Sequence, residues 1–348
     1  MFYKSVIRPI LFLLPPETIH HLLFVTFRFF PFIGRLLAIP LSRTLKSDST
    51  PVEAFGLKFR HPVGLAGGMD KKAMALRFLR NIGFSFVEVG TVTPLPQKGN
   101  PKPRLFRLTR NSAMINRMGF NNPGVIEMAK QLKQRPSGLI VGGNIGKNSL
   151  TTNEDAWQDY VACFNELYPF VDFFVVNVSC PNIKDLSKLQ DKESLTLILE
   201  HLIRIRKERK FYRPILMKIS PDLSTTQLDE VIEVIIATGI DGVVATNTSN
   251  RRFDLSYTQE ELDRFGEGGL SGTPLRAIST EMIRYLYQKL GDRFPIIASG
   301  GVMTEQDALE KLSAGAKLVQ IYTGFVYEGP GFLGRIVRAW RQNNAKKI

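Results

Sequence analysis

The chain has 348 residues, 44% of them hydrophobic and 22% charged, which is ordinary globular composition and excludes a disordered polymer. Its two cysteines, Cys163 and Cys180, exclude a disulfide framework, a four-cysteine zinc site and a self-contained four-cysteine iron–sulfur site. A net charge of +14 favours an anionic partner, which could be lipid head groups, nucleic acid or a phosphorylated ligand.

The first segment is unusually aromatic. Residues 1–41 hold seven of the 24 phenylalanines. The run after Arg8 is short for a secretory signal and no small-residue cleavage site follows it. Arg8, Glu17, Arg28 and Arg35 interrupt every window long enough to span a bilayer. The pattern predicts two short helices, the first ended and the second opened by Pro15-Pro16. In the second, Ile19, Leu22, Leu23, Phe27 and Phe30 fall on one side, and Phe24, Val25 and Phe29 widen that face. Such a hairpin can lie on a membrane, with Arg28 and Arg35 toward anionic lipid, or pack on the main domain or on a second copy of it. Residues 42–51 read as a polar linker, and 52–348 as the main domain.

From residue 52, short apolar runs alternate with helical patterns, which argues for parallel βα units. The runs are Pro62–Ala66, Phe84–Val89, Leu139–Gly142, Phe173–Val178, Pro214–Ile219, Gly242–Ala245, Pro295–Ala298 and Leu318–Ile321. Eight such units predict an α/β fold of the (β/α)8 TIM-barrel type, with an open doubly wound sheet as the alternative. The runs end in Gly67-Gly68, Gly90-Thr91, Asn144, Asn177, Lys218, Asn247-Thr248, Gly300-Gly301 and Tyr322-Thr323. In a barrel these ends would converge into a polar cup on one face. Two insertions interrupt the alternation. One holds Thr93–Gln97 and Arg104–Leu108, the other Gly268–Gly272. Long connections at this face build or cover sites.

The last two strand ends, with Ser271-Gly272, suggest a phosphate cradle of backbone N–H groups, against the alternative of tight turns. Asn116, Asn177, Asn182 and Asn247 offer donors and acceptors suited to a planar ligand such as a pyrimidine, or serve as turn residues. Lys71 and Lys218 add positive charge. Cys180, in Asn177-Val178-Ser179-Cys180-Pro181-Asn182, places a thiol beside a strand end, where it can act as base or nucleophile. Cys163, in the helical stretch Trp157–Leu167, reads as an inert buried residue. Neither a zinc-protease nor a P-loop motif occurs.

These stretches, in this order, resemble the dihydroorotate dehydrogenase family, and specifically its membrane-associated, quinone-reducing class 2. The resemblance rests on Gly64–Lys71, Gly90–Pro94, Pro103-Arg104, Ile115–Asn121, Asn144–Asn148, Asn177–Asn182, Lys218–Leu223, Gly268–Gly272, Ser299–Val302 and Gln320–Thr323, and it covers essentially the whole chain. It implies a (β/α)8 barrel with FMN that oxidises dihydroorotate to orotate. The FMN phosphate would lie at Gly272, Gly301, Tyr322 and Thr323, with Ser271 and Gly300 also binding the cofactor. Ala66, Gly67, Gly68, Thr91, Asn144, Asn177, Lys218 and Thr248 would line the flavin. Lys71, Asn116, Asn177, Asn182, Asn247 and Thr248 would hold the substrate, with Cys180 as base and Lys218 beside the flavin. The resemblance further implies a peripheral protein on the cytoplasmic face of a bacterial membrane. It would contact anionic lipid, reduce a membrane quinone through the N-terminal helices, and use no metal and no nucleic acid.

The sequence departs from class 2 at one place. Cys180 occupies the position where that class generally carries serine and class 1 carries cysteine, while Ile183 replaces a usual threonine and Asp185 breaks the following Pro-Gly pattern. A class 1-like enzyme with a soluble acceptor, fumarate or NAD, is therefore the second reading, and a non-catalytic flavin-binding membrane protein the third.

Overall fold

A computed structural model describes residues 2–38, 51–179 and 192–345. Eight parallel strands close into a barrel. The first two helices of the chain precede it. A π-helical turn, Tyr3–Ile7, runs into α1 (Arg8–Phe12), and α2 (Pro16–Phe29) starts at Pro16 as expected. A third helix, α3 (Ile33–Ala38), was not anticipated. Next comes a hairpin of β1 (Val52–Ala54) and β2 (Leu57–Phe59), also unanticipated, which plugs the barrel's lower mouth with Phe55 and Phe59.

The barrel strands are β3 (Val63–Asp70), β4 (Phe86–Val92), β7 (Ile140–Ile145), β8 (Phe173–Asn177), β9 (Ile215–Ile219), β10 (Gly242–Ala245), β12 (Ile296–Ser299) and β13 (Leu318–Ile321). Each coincides with one of the eight apolar runs. The first runs longer than expected, with a register shift between Leu65 and Asp70 that carries Gly67-Gly68 inside the strand. Helices cover the outer faces of the strands, and the main core lies between the two layers. Cys163 is buried there on the helix Ala156–Leu167, and burial pushes its thiol well above the ordinary range, as an inert residue requires.

Side-chain alternation along the strands creates two interior layers. Phe86, Phe173, Val175, Leu216, Val244, Ile297 and Leu318 fill the lower one. Gly64 and Gly142 make room for two of these rings, because a Cβ would come within 2.4 Å of Phe86 and 2.3 Å of Phe173 respectively. Two residues further on, the same strands carry Glu88, Asn144, Asn177, Lys218, Thr246, Ser299 and Gln320. The barrel is therefore sealed by hydrocarbon below and polar above.

The two insertions meet over the upper end. β5 (Leu105–Leu108) and β6 (Ala113–Asn116) come from the first, β11 (Gly269–Gly272) from the second. They form an antiparallel sheet in the order β11-β6-β5, with Gly269 opposite Asn116 and Gly272 opposite Ala113.

The N-terminal helices dock beside this cover. Tyr3 donates to the Val326 carbonyl (2.7 Å), and Arg107 lies 4.3 Å over the Phe12 ring while donating to the Leu11 and Phe12 carbonyls. Glu17 receives Arg104 at 2.7 Å. The expected single apolar face of α2 is in fact divided. Phe24 and Phe27 turn inward, Phe27 stacking on Phe78 of the helix Leu76–Ile82 at 3.7 Å, while Leu22, Phe29 and Phe30 are exposed. A helix wedged between a barrel helix and the cover sheet must satisfy both sides. No single described helix is long and apolar enough to cross a membrane.

Candidate active site

The polar layer, the cover sheet and the last strand ends surround a concave cleft. Every described residue expected at the site lines it: Ala66, Gly67, Gly68, Lys71, Thr91, Asn116, Asn144, Asn177, Lys218, Asn247, Thr248, Ser271, Gly272, Gly300, Gly301, Tyr322 and Thr323. Cys180 and Asn182 lie outside the described residues.

The floor is held by a carboxylate that sequence reasoning missed. Glu88 is fully buried and accepts three donors: Asn144 Nδ2 at 2.6 Å, Lys218 Nζ at 3.2 Å and Gln320 Nε2 at 2.7 Å. It thus compensates the Lys218 charge and fixes two amides. A Cβ on Gly67 would lie 2.2 Å from Glu88 Oε1, so the backbone there must be glycine for this network to form. The available signal was a lone carboxylate in an otherwise apolar run, two residues after an inward Phe. With its Nε2 committed to Glu88, Gln320 directs Oε1 away, and that buried oxygen has no partner among the described residues.

On one side the asparagines interlock. Asn177 Nδ2 donates to Thr91 Oγ1 at 2.8 Å, and Asn247 Nδ2 donates to Asn177 Oδ1 at 3.3 Å and to the Ser179 carbonyl at 3.1 Å. Ser179 in turn donates to the Lys218 carbonyl at 2.9 Å, which fixes the residue before Cys180 at the rim. Asn116 reaches the site from β6, donating to the Gly269 carbonyl at 3.2 Å. Lys71 donates to the Gly68 carbonyl at 2.7 Å, and burial pushes its amine down to about 8.

At the opposite end, Gly272, Gly300 and Gly301 have φ of +99°, +93° and +70°, conformations that favour glycine. Ser271 and Thr323 share a hydroxyl contact of 2.9 Å. Short strand ends, positive-φ glycines and hydroxyls offer backbone N–H and O–H groups that can cradle an anion. The buried acceptor on Gln320 and this cradle fit a planar heterocycle carrying a phosphate, such as a flavin nucleotide.

The N-terminal helices approach one rim. His20 Nε2 donates to the Met69 carbonyl at 2.7 Å, next to Gly68, and burial lowers its imidazole to about 4. Tyr322, whose hydroxyl reaches the Gly68 carbonyl at 3.5 Å, is pushed up to about 12 by burial.

Fold and cleft together define a (β/α)8-barrel protein with a cleft at the strand ends lined by glycines, amides and two lysines. The family model described as dihydroorotate dehydrogenase matches residues 49–342. The chain is 50% identical over 333 residues to dihydroorotate dehydrogenase (quinone) of Christiangramia forsetii, covering 95% of this chain and 96% of that protein. It is 43% identical over 340 residues to the protein of the same name in Chromobacterium violaceum, covering 97% of each. The solved structure of DHODH from Eimeria tenella in complex with ferulenol superposes with a TM-score of 0.84 at 33% identity, covering 95% of this chain and 92% of that one. The chain belongs to the dihydroorotate dehydrogenase family.

Proposed function

We infer that this chain oxidises dihydroorotate to orotate in pyrimidine biosynthesis and delivers the electrons to a quinone, using FMN. The observation that carries the reading is the convergence of Lys218, the interlocked asparagines and the positive-φ glycines in one cleft, whose rim the N-terminal helices approach at Met69. When bound, FMN supplies the acceptor for a hydride from C6 of the substrate.

The phosphate would be held by Gly272, Gly301 and the Tyr322–Thr323 segment, and Gln320 Oε1 would accept from the ring system. Lys218 would face the pyrimidine edge of the flavin, where an ammonium stabilises negative charge that develops on reduction. Lys71, Asn116, Asn177, Asn182, Asn247 and Thr248 would bind the substrate, the lysine its carboxylate and the amides its carbonyl and N–H groups. Cys180 would take the C5 proton. A thiol titrates near about 8.5, so it forms a usable base more readily than serine does.

The rim between α2 and Tyr322 would admit the quinone. Leu13, Leu22, Phe29, Phe30, Phe32 and Leu36 are exposed on the helices, with Arg28 and Arg35 beside them, a surface suited to the anionic cytoplasmic face of a bacterial membrane. The test is steady-state turnover of the full-length chain. Orotate should form in equal amount to reduced quinone, and no orotate formation would overturn the reading.

A further inference from the structure

Lys311 is fully buried, yet it lines no part of the cleft. It lies on the helix Glu305–Ser313 and donates to the Thr280 hydroxyl at 3.0 Å, to the Arg276 carbonyl at 3.3 Å and to the Ser279 hydroxyl. All three are neutral oxygens. The neighbouring Asp307 carboxylate is committed elsewhere, accepting the Met303 and Thr304 N–H groups and lying 3.4 Å from Arg276. The Asp307 and Glu310 carboxylates act on this ammonium through space, and among the described residues its hydrogen bonds all go to neutral oxygens, which therefore carry part of its charge.

Ser279 links this charge to the cleft. Its oxygen receives Lys311, so its own proton is free for the Gly300 carbonyl, 3.0 Å away. In a planar trans peptide the carbonyl of one residue and the N–H of the next point in opposite directions. Anchoring the Gly300 oxygen against Ser279 therefore directs the Gly301 N–H away from that helix, and Gly301 lines the cleft. Among the described residues no backbone carbonyl accepts this N–H. The loop packs closely on the helix that carries Ser279, since a Cβ on Gly301 would come 2.3 Å from the Arg276 Cα.

We propose that Lys311 and Ser279 are positioning residues for the cofactor phosphate. Lys311 orients the Ser279 hydroxyl, Ser279 fixes the Gly300 carbonyl, and the Gly301 N–H is held toward the phosphate with a cation polarising the chain of bonds from behind. The inference rests on the reading that the cleft binds FMN, and it assigns the phosphate's counter-charge to a residue outside the cleft.

The test compares FMN with riboflavin, which lacks the phosphate. Dissociation constants of both are measured by flavin-fluorescence titration of the full-length chain and of Ser279→Ala and Lys311→Met. The parent should prefer FMN strongly. Each variant should bind FMN about tenfold or more weakly, the scale of a lost charge-assisted hydrogen bond, and should bind riboflavin within about twofold of the parent. A purely structural role would weaken both ligands together, and that result would overturn the proposal. So would an FMN preference kept intact in Ser279→Ala, the milder change if Lys311→Met does not fold. A parent with no preference for FMN would overturn the phosphate reading itself.

Discussion

Replacing Glu88 by glutamine tests the floor of the cleft. The carboxylate is fully buried, and the Lys218 side chain it faces is 8% exposed. Three donors converge on its two oxygens, Asn144 and Lys218 on Oε1 and Gln320 on Oε2. Glutamine retains one acceptor oxygen. If that oxygen stays with Lys218 and Asn144, the new amide meets Gln320 Nε2, and Gln320 must turn its own oxygen downward, away from the cleft. The neutral side chain also leaves the Lys218 ammonium buried without its counter-ion, a loss of about 3–5 kcal/mol for a broken buried pair. Urea denaturation of the full-length chain at fixed FMN concentration should show Glu88→Gln less stable by about that amount. Glu88→Gln/Lys218→Met, which removes the stranded cation, should recover part of it, with a coupling of about 1–3 kcal/mol. A loss below about 1 kcal/mol in the single variant, the range of an ordinary hydrogen bond, would refute the claim that Glu88 compensates Lys218.

Cys180→Ala should lose flavin reduction by dihydroorotate by about 10²–10⁴-fold, the range of general-base help, while still binding orotate. Cys180→Ser should keep measurable activity with its pH–rate profile displaced upward, and a single-turnover rate for alanine within about threefold of the parent's would dismiss the cysteine as base. Acid should destabilise the chain through His61. Its Nδ1 accepts the Val63 N–H, its Nε2 donates to the Gly83 carbonyl, and burial lowers it to about 3. Because the folded value lies below the unfolded one, the unfolded chain takes up the proton first. Stability should therefore be complete above about pH 6.5 and fall by ~1.4 kcal/mol per pH unit toward pH 3; a His61→Gln chain with an equally steep acid limb in denaturation midpoints would contradict this. Removing residues 1–41 should leave a barrel that binds FMN and is reduced by dihydroorotate, with turnover of long-tailed quinones falling sharply; undiminished turnover of such quinones would refute the entrance assignment.

The barrel strands were legible because each is a continuous apolar run closed by polar residues, and parallel strands buried on both faces read in that way. The cleft was legible for the same reason, since its residues are the strand ends. What escaped depends on contacts between distant segments. The cover sheet forms only because Gly269–Gly272 pairs with Ala113–Asn116 across more than 150 residues, and no local pattern announces that register. Glu88 lies inside the apolar run Phe84–Val89, and only barrel closure brings Lys218 and Gln320 to it. Lys311 lies on a helix with Glu305, Glu310 and Ser313, and only its packing against the helix Arg276–Leu290 buries the cation. The division of the α2 face followed from its two partners, which a helical pattern alone does not name.

One anaerobic experiment resolves the two half-reactions. The full-length holoprotein is mixed with dihydroorotate without oxygen, and the flavin absorbance is followed; a quinone, fumarate or NAD is then added in separate runs. Dihydroorotate should bleach the flavin and quinone should restore it fast, whereas fumarate and NAD should not. Flavin that stays oxidised in the presence of dihydroorotate would contradict the assignment of the cleft, and recovery with fumarate or NAD as fast as with quinone would contradict the assignment of the acceptor.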